Sequence, residues 1–189
     1  MMDAAAIVAA LQAAVPGADY RVDPTPDRPT IIVPRDSLLE TAHALRDAAD
    51  LQFQVLLEVT AVDWWPADPR FAVIYHLLAP RALNLLRLKV RLSTEDPHVP
   101  TLCGVWASAN WLEREVWDLF GIVFDGHPDL RRLMMPDDWE GHPLRKDYPV
   151  QIKMKPQVYA PLQMTEQEFH EKIVADRRVR GGNAPRPKR

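Results

Sequence analysis

His127 and His142 each stand immediately before a proline, with Asp125, Asp129, Asp137 and Asp138 close by in sequence. Imidazole and carboxylate groups are common ligands of zinc and iron, so these residues are the first candidates for chemistry. The spacing argues against a metal site. The two His-Pro steps lie about fifteen residues apart, and the chain has no His-x-x-x-His or Cys-x-x-Cys pair. Gly-His-Pro also suits a turn whose ring caps backbone groups. A second cluster is Glu113, Arg114, Glu115 and Asp118. General acid–base catalysis needs paired carboxylates facing a cleft, whereas Arg114 with Asp118 at i+4 makes a simple ion pair worth about 0.3–0.5 kcal/mol on an exposed helix face. The structural or interfacial reading of these acids is the simpler one. Gly121 to Gly126 has the spacing of a phosphate loop, but the Lys-Ser/Thr that must follow is His127-Pro128 here. Arg131, Arg132, Arg145 and Lys146 could clamp an anion, yet among so many acids they more naturally form interfacial pairs. The single cysteine, Cys103, rules out an intrachain disulfide and a four-thiolate iron–sulfur cluster, and reads as a small buried apolar residue. His43, His76, His98 and His170 are isolated and receive no role.

The elements that must carry these residues follow from pattern. Ala4 to Val15 reads as a helix capped by Asp3 and stopped by Pro16-Gly17, with Ile7, Leu11 and Ala14 on one face. Thr30 to Val33 is a short strand. Ser37 to Ala49 is a second helix, with Ser37 and Glu40 as a capping box and Leu38, Ala42, Leu45 and Ala49 along one side. Leu51 to Val62 alternates, which predicts Leu51, Phe53, Val55, Leu57 and Val59 inward. Phe71 to Leu78 is mostly apolar. Leu83 to Leu92 places Leu86, Leu88, Val90 and Leu92 inward, and a short link makes the last two strands an antiparallel hairpin. Pro100 to Trp106 is expected as a short helix. The next helix starts at an Asn110 cap, buries Leu112, Val116, Leu119 and Phe120, leaves the acids on its polar flank, and stops at Gly121. Ile122 to Phe124 adds a strand turned by Asp125-Gly126. Prolines 128, 136, 143, 149, 156 and 161 then forbid long regular elements, and a helix capped by Thr165 and Glu168 is expected to Val174. The element order predicts an α+β fold: a mixed or antiparallel sheet with helices packed on one face, plus an extended C-terminal tail. Residues 1–135 form the globular domain in this reading. Residues 136–189 form an extended, proline-rich segment whose spaced apolar anchors suit docking on a partner subunit.

Composition bounds the function. The chain has 189 residues, 47% hydrophobic and 26% charged, enough for one sizeable core. No stretch approaches the roughly 18 apolar residues of a membrane span, and the N-terminus lacks the basic start of a secretory signal, so a soluble, cytosol-side protein is expected. The net charge of −3 is unevenly placed. Beyond Asp176 the chain carries a local +6 and no acid, leaving −9 for the remainder, the difference between −3 and +6. A basic Gly/Pro-containing end reads as a disordered or partner-docked tail, and no basic face in the folded body supports nucleic-acid binding. A polar block this dense, with no nucleophile constellation or nucleotide loop, points to assembly. A stand-alone His/Asp metalloenzyme built on His127 and His142 is the competing reading from the residues alone.

The run Glu113-Arg114-Glu115, Asp118, Leu119-Phe120, His127, Arg131 and Leu133-Met134 resembles the signature of the soluble C subunit of NADH–quinone oxidoreductase, respiratory complex I. Asp138 to Pro149, which includes Gly-His-Pro-Leu-Arg-Lys-Asp-Tyr-Pro, resembles the same family's second signature. The resemblance implies a non-catalytic member of the peripheral arm, with a C-terminal extension over the neighbouring D subunit and contact with the B subunit. It implies no cofactor, metal or catalytic residue on this chain, with FMN and iron–sulfur clusters on partner subunits of a complex that passes electrons from NADH to ubiquinone or menaquinone and translocates protons. It implies a peripheral position on the cytoplasmic side of the cell inner membrane, reached only through the complex, and no nucleic-acid partner. The residues it marks as interfacial are Glu113, Arg114, Glu115, Asp118, Gly121, His127, Pro128, Asp129, Arg131, Arg132, Trp139, Gly141, His142, Pro143, Arg145, Lys146, Asp147 and Tyr148. Related chains occur in membrane-bound hydrogenases and photosynthetic quinone-reducing complexes, which gives the alternative.

Overall fold

A computed structural model describes residues 3–24, 27–149 and 165–180, the last stretch with side chains to residue 174. The chain separates into two units, Met1–Pro149 and Val150–Arg189. In the first, elements run α1 (Ala4–Ala14), β1 (Arg21–Val22), β2 (Thr30–Ile32), α2 (Leu38–Asp47, entered through a 3-10 turn at Arg35–Ser37), β3 (Val55–Asp63), β4 (Phe71–Ala79), β5 (Asn84–Leu92), β6 (His98–Pro100), α3 (Ala109–Phe120) and β7 (Val123–Asp125). Five strands make a mixed sheet in the order β1-β2-β5-β4-β3, and β6 with β7 make a separate parallel pair. The three long strands β3, β4 and β5 form an antiparallel meander, while β2 joins β5 in parallel. This is the expected α+β architecture.

The inward face of the sheet (Val59, Ala61, Val73, Tyr75, Leu77, Leu86, Leu88, Val90) shares one core with Ile7, Leu11, Leu38, Leu45, Val116 and Phe120 from the helices. The outward face is polar and paired: Arg87 with Asp27, Lys89 with Asp23, and His76 Nδ1 with Glu58 at 2.9 Å. Charged groups there keep the uncovered side of the sheet wet.

Several local expectations fail for identifiable reasons. In β3 the pairing register shifts between Leu56 and Glu58, a bulge that reverses the inside–outside alternation. Leu56 is therefore buried while Val55 and Leu57 face out, the opposite of what the alternation predicted. Ala14 and Ala49 are exposed rather than on the buried helix faces. Neither Asp3 nor Ser37 makes a side-chain cap bond. Thr41 instead donates to the Ser37 carbonyl at 2.6 Å. Pro100 to Trp106 is not a helix: Pro100 ends β6, and the following Thr101 and Leu102 donate hydrogen bonds to Glu113. Asn110 lies inside α3 rather than capping it. The first unit also runs to Pro149, so that residues 136–149 pack on the body, whereas the expected division lay after residue 135.

In the second unit, α4 runs Glu166–Arg180, six residues past the expected end. Thr165 and Glu168 form the expected capping box, the Thr165 N–H donating to Glu168 Oε2 at 2.8 Å and the Glu168 N–H to Thr165 Oγ1 at 3.3 Å. The basic residues Arg177, Arg178 and Arg180 thus lie on a helix; Val150 to Met164 and residues 181–189 lie outside the described residues. Among the described residues no helix is long and apolar enough to cross a membrane.

Candidate functional site

Helix α3 organises the site, and its charged residues do not sit on a polar flank. Glu113 and Asp118 are fully buried, and Arg114 nearly so. Each has left the helix surface to seize a neighbouring segment, and the predicted Arg114–Asp118 pair does not form. Glu113 accepts Thr101 Oγ1–H at 2.5 Å on one oxygen and the Leu102 N–H at 2.7 Å on the other, with the Cys103 thiol at 3.6 Å. Burial pushes its pKa up to about 7 against the pull of these bonds. The Cys103 thiol, half-buried, is itself pushed up, first by burial.

Asp118 has the contrary environment. One carboxylate oxygen accepts three successive backbone N–H groups, those of Leu133 (2.9 Å), Met134 (2.7 Å) and Met135 (2.8 Å). The other takes Arg132 Nη1 at 2.6 Å. Burial alone raises a carboxyl pKa, but the three N–H donors and the guanidinium outweigh it and hold Asp118 below the usual range. Arg132 continues to the carbonyls of Trp139 (2.7 Å) and Gly141 (3.3 Å). Arg114 stacks 5.0 Å over Trp111 and donates to the carbonyls of Arg131 and Arg132. The proline-spaced segment is thereby clamped onto the helix.

The end of α3 is closed by the same segment. The last carbonyls of a helix need donors from outside it. Here the Asp118 carbonyl takes His142 Nδ1–H (2.9 Å), Leu119 takes the Leu144 N–H (3.0 Å), Phe120 takes Arg145 Nε (2.5 Å) and Gly121 takes Arg145 Nη2 (3.2 Å). A guanidinium at this pole also complements the helix dipole. Gly121 has φ +72°, and a Cβ on it would lie 2.4 Å from both Arg145 Nη2 and His142 Cδ2. Burial lowers the His142 pKa, which keeps its ring neutral beside the cations.

The segment ends on the β3–β4 hairpin. Asp63 takes Arg70 through two parallel bonds of 2.8 Å, the Trp65 N–H at 2.9 Å and the Lys146 N–H at 2.8 Å. Its burial is outweighed by Arg70 and the two N–H donors, and its pKa falls to about 2. Arg70 reaches on to Asp147 Oδ1 at 2.6 Å, and Arg145 lies 5.4 Å over the Phe71 ring. Tyr148 donates to the Glu140 carbonyl at 3.1 Å and packs on Gly141, where a Cβ would come within 2.9 Å of its ring.

Of the residues marked from sequence, Arg114, Asp118, Gly121, Arg132, Trp139, Gly141, His142, Arg145, Lys146, Asp147 and Tyr148 converge on this clamp. Glu113 binds a different loop. Asp129 and Arg131 pair with each other at 2.6 Å on the surface. Glu115 makes no hydrogen bond or ion pair among the described residues. Pro128 and Pro143 place the turns that follow the two histidines. Sequence reasoning missed Asp63 and Arg70, which close the clamp from the other side. Their only signal was an acid and an arginine bracketing a hairpin turn.

His127 and His142 are not brought together as metal ligands. His127 donates Nε2–H to the Asn110 carbonyl and accepts the Asp129 N–H on Nδ1, the turn-capping role its Gly-His-Pro setting suggested. Among the described residues one trio, Cys103, Glu113 and His127, has ligand atoms within 4.8 Å of one another. The Glu113 oxygens are held by Thr101 and Leu102, and the His127 nitrogens by Asn110 and Asp129.

A family model described as the 30 kDa subunit of respiratory-chain NADH dehydrogenase matches residues 31–153. The C subunit of NADH-quinone oxidoreductase from Geotalea uraniireducens is 48% identical over 122 residues, 65% of this chain and 73% of the relative. That of Roseiflexus sp. is 41% identical over 154 residues, 79% of this chain and 86% of the relative. Among solved structures, a trypsin-resistant fragment (1–134) of Nqo5 aligns with a TM-score of 0.55 and 32% identity, covering 68% of this chain and all of the fragment. The membrane-bound sulfane sulfur reductase, an archaeal respiratory membrane complex, contains a chain that aligns with a TM-score of 0.65 and 25% identity, over 85% of this chain and 95% of that one.

Proposed function

Since the chain belongs to the family of the 30 kDa subunit of respiratory-chain NADH dehydrogenase, we propose that it is a non-catalytic scaffold within a proton-translocating NADH–quinone oxidoreductase. The carrying observation is the use of its buried and half-buried charges. Asp63, Arg70, Asp118, Arg132 and Arg145 all fix the course of the backbone from 131 to 148 and hold it in one conformation. Pre-ordering a surface segment in this way lowers the entropic cost of binding. It is the work of a docking element.

In this reading, FMN and the iron–sulfur clusters sit on partner subunits, and electrons pass from NADH to the quinone without touching this chain. Its partners are other peripheral-arm subunits, the D subunit first and the B subunit with it, and residues 136–189 supply much of that contact. The chain reaches the cytoplasmic face of the inner membrane through the complex. The likeness to a chain of the sulfane sulfur reductase favours one second reading, that of the equivalent component in a membrane-bound respiratory complex with a different donor or acceptor, as in hydrogenases or photosynthetic complexes.

The test is isolation of the tagged full-length chain from its native membranes in mild detergent. Mass spectrometry is expected to find stoichiometric partner subunits, and the preparation to oxidise NADH with a quinone as acceptor. A chain recovered alone overturns the scaffold reading; a complete complex that ignores NADH selects the second.

A further inference from the structure

The tip of the β3–β4 hairpin carries two adjacent tryptophans, Trp64 and Trp65, which are 57% and 54% exposed. The tip is nevertheless fixed. Trp64 N–H donates to the Arg70 carbonyl at 2.8 Å, Ala67 N–H to the Trp64 carbonyl at 2.9 Å, and Asp63 holds the Trp65 N–H. Beside Trp64 lies an open hollow of about 260 Å³, lined by Trp64, Ala67, Pro69, Asp68 and Arg91 above the buried Phe71. Neither Asp68 nor Arg91 makes a hydrogen bond or ion pair among the described residues. The neighbouring cations of the same strand, Arg87 and Lys89, are each paired with an aspartate. A fixed, exposed tryptophan beside an unused charge of each sign is the composition of an interface hot spot.

We propose that this hollow is a docking site for a segment of a partner subunit. The segment seats an apolar side chain against Trp64 and Pro69, sets a carboxylate on Arg91 and offers Asp68 an N–H donor or a cation. Arg91 calls for an acid, and Asp68 disfavours a phosphate-rich partner such as nucleic acid or an anionic lipid surface. The opposed charges fix register as well as affinity. The proposal rests on the scaffold reading but adds a surface separate from the clamped 131–148 segment.

The experiment places a photo-crosslinking amino acid at position 64 of the full-length chain in its native membranes and maps the linked peptide. The expected product joins position 64 to a partner-subunit peptide carrying an Asp or Glu beside an apolar residue. Trp64→Ala is expected to weaken association by about 30-fold, the size of a hot-spot truncation. Arg91→Glu should lower the share of chain in the complex, and a compensating acid-to-arginine change at the linked position should restore it. Both side chains are exposed, so thermal unfolding of the free chain serves as the folding control. If Trp64→Ala moves that transition, Arg91→Glu alone decides. Cross-links to lipid, to a second copy, or to nothing, while the wild-type chain still co-purifies with partners, overturn the docking site and leave the scaffold reading standing. Failure of the wild-type chain to co-purify overturns both.

Discussion

A carboxylate taken out of water keeps its proton unless enough donors reach it, and the two buried acids of α3 meet opposite fates. Asp118 has three N–H groups and a guanidinium and stays charged. Glu113 has one N–H, a hydroxyl and a thiol, and its pKa stands near 7. The sign of the consequence is fixed. The unfolded chain ionises Glu113 from about pH 4.5 while the folded chain resists until about 7, so this group removes stability as pH rises across that window, by up to about 3 kcal/mol. Glu113→Gln, whose amide can still accept from Leu102 and donate to Thr101, is expected to gain stability relative to wild type at pH 8 and to show little difference at pH 4.5, as read by urea unfolding at both values. Asp118→Asn should behave differently. It leaves Arg132 half-buried without its acid, a loss of about 3 kcal/mol, and limited trypsin digestion should then cut at Arg131 and Arg132 much faster than in wild type. At this scale the sequence was legible for residue type and illegible for placement. The 3.6-residue pattern put Glu113 and Asp118 on a solvent face because it has no means of counting donors that arrive from residues 101–103 and 132–135.

Among the elements, α3 and the β3–β4 hairpin are held by a segment that is neither helix nor strand. Gly121 was recognised as a helix stop, and its positive φ agrees. The need for glycine is doubled by the side chains of His142 and Arg145 behind it, which no local pattern reveals. Gly121→Ala combines left-handed strain with that clash and should destabilise by about 2 kcal/mol or more. Arg145→Ala strips donors from two helix-terminal carbonyls and should cost about 2 kcal/mol, with the melting temperature of the free chain falling by about 4–8 °C. Arg145 thus closes the end of α3 in addition to standing among the residues the family signature marks. The β4–β5 hairpin was readable from alternation and turn length, and the Thr165–Glu168 cap from its spacing. The bulge at Leu57 was not, because the same apolar run fits either register until a partner strand chooses.

For the molecule as a whole, the Asp63–Arg70 pair contributes to the behaviour in acid. A carboxyl lowered to about 2 contributes stability that is complete above its ordinary value near 3.8 and is lost as pH falls through about 2, amounting to about 2 kcal/mol. Asp147 shares Arg70 but keeps nearly half of its side chain exposed, which leaves it free to serve a neighbour. Asp147→Ala is expected to leave the free chain's melting within a few degrees of wild type while reducing the amount of assembled complex recovered from membranes. Equal damage to both would make it another fold residue. Fold class was legible because element order points to an α+β fold with a mixed or antiparallel sheet; the boundary of the body was not, since proline spacing looks alike in a segment lying on its own domain and in one lying on another.

The bond from the Lys146 N–H to Asp63 spans 83 positions of sequence, and this distance has a consequence during synthesis. Until residue 148 clears the ribosome, the final turn of α3 has bare carbonyls and the hairpin's acid holds its arginine without the last amide. A nascent chain stalled upstream of that point is thus expected to be a substrate for chaperones and proteases, and maturation becomes a late, single closure.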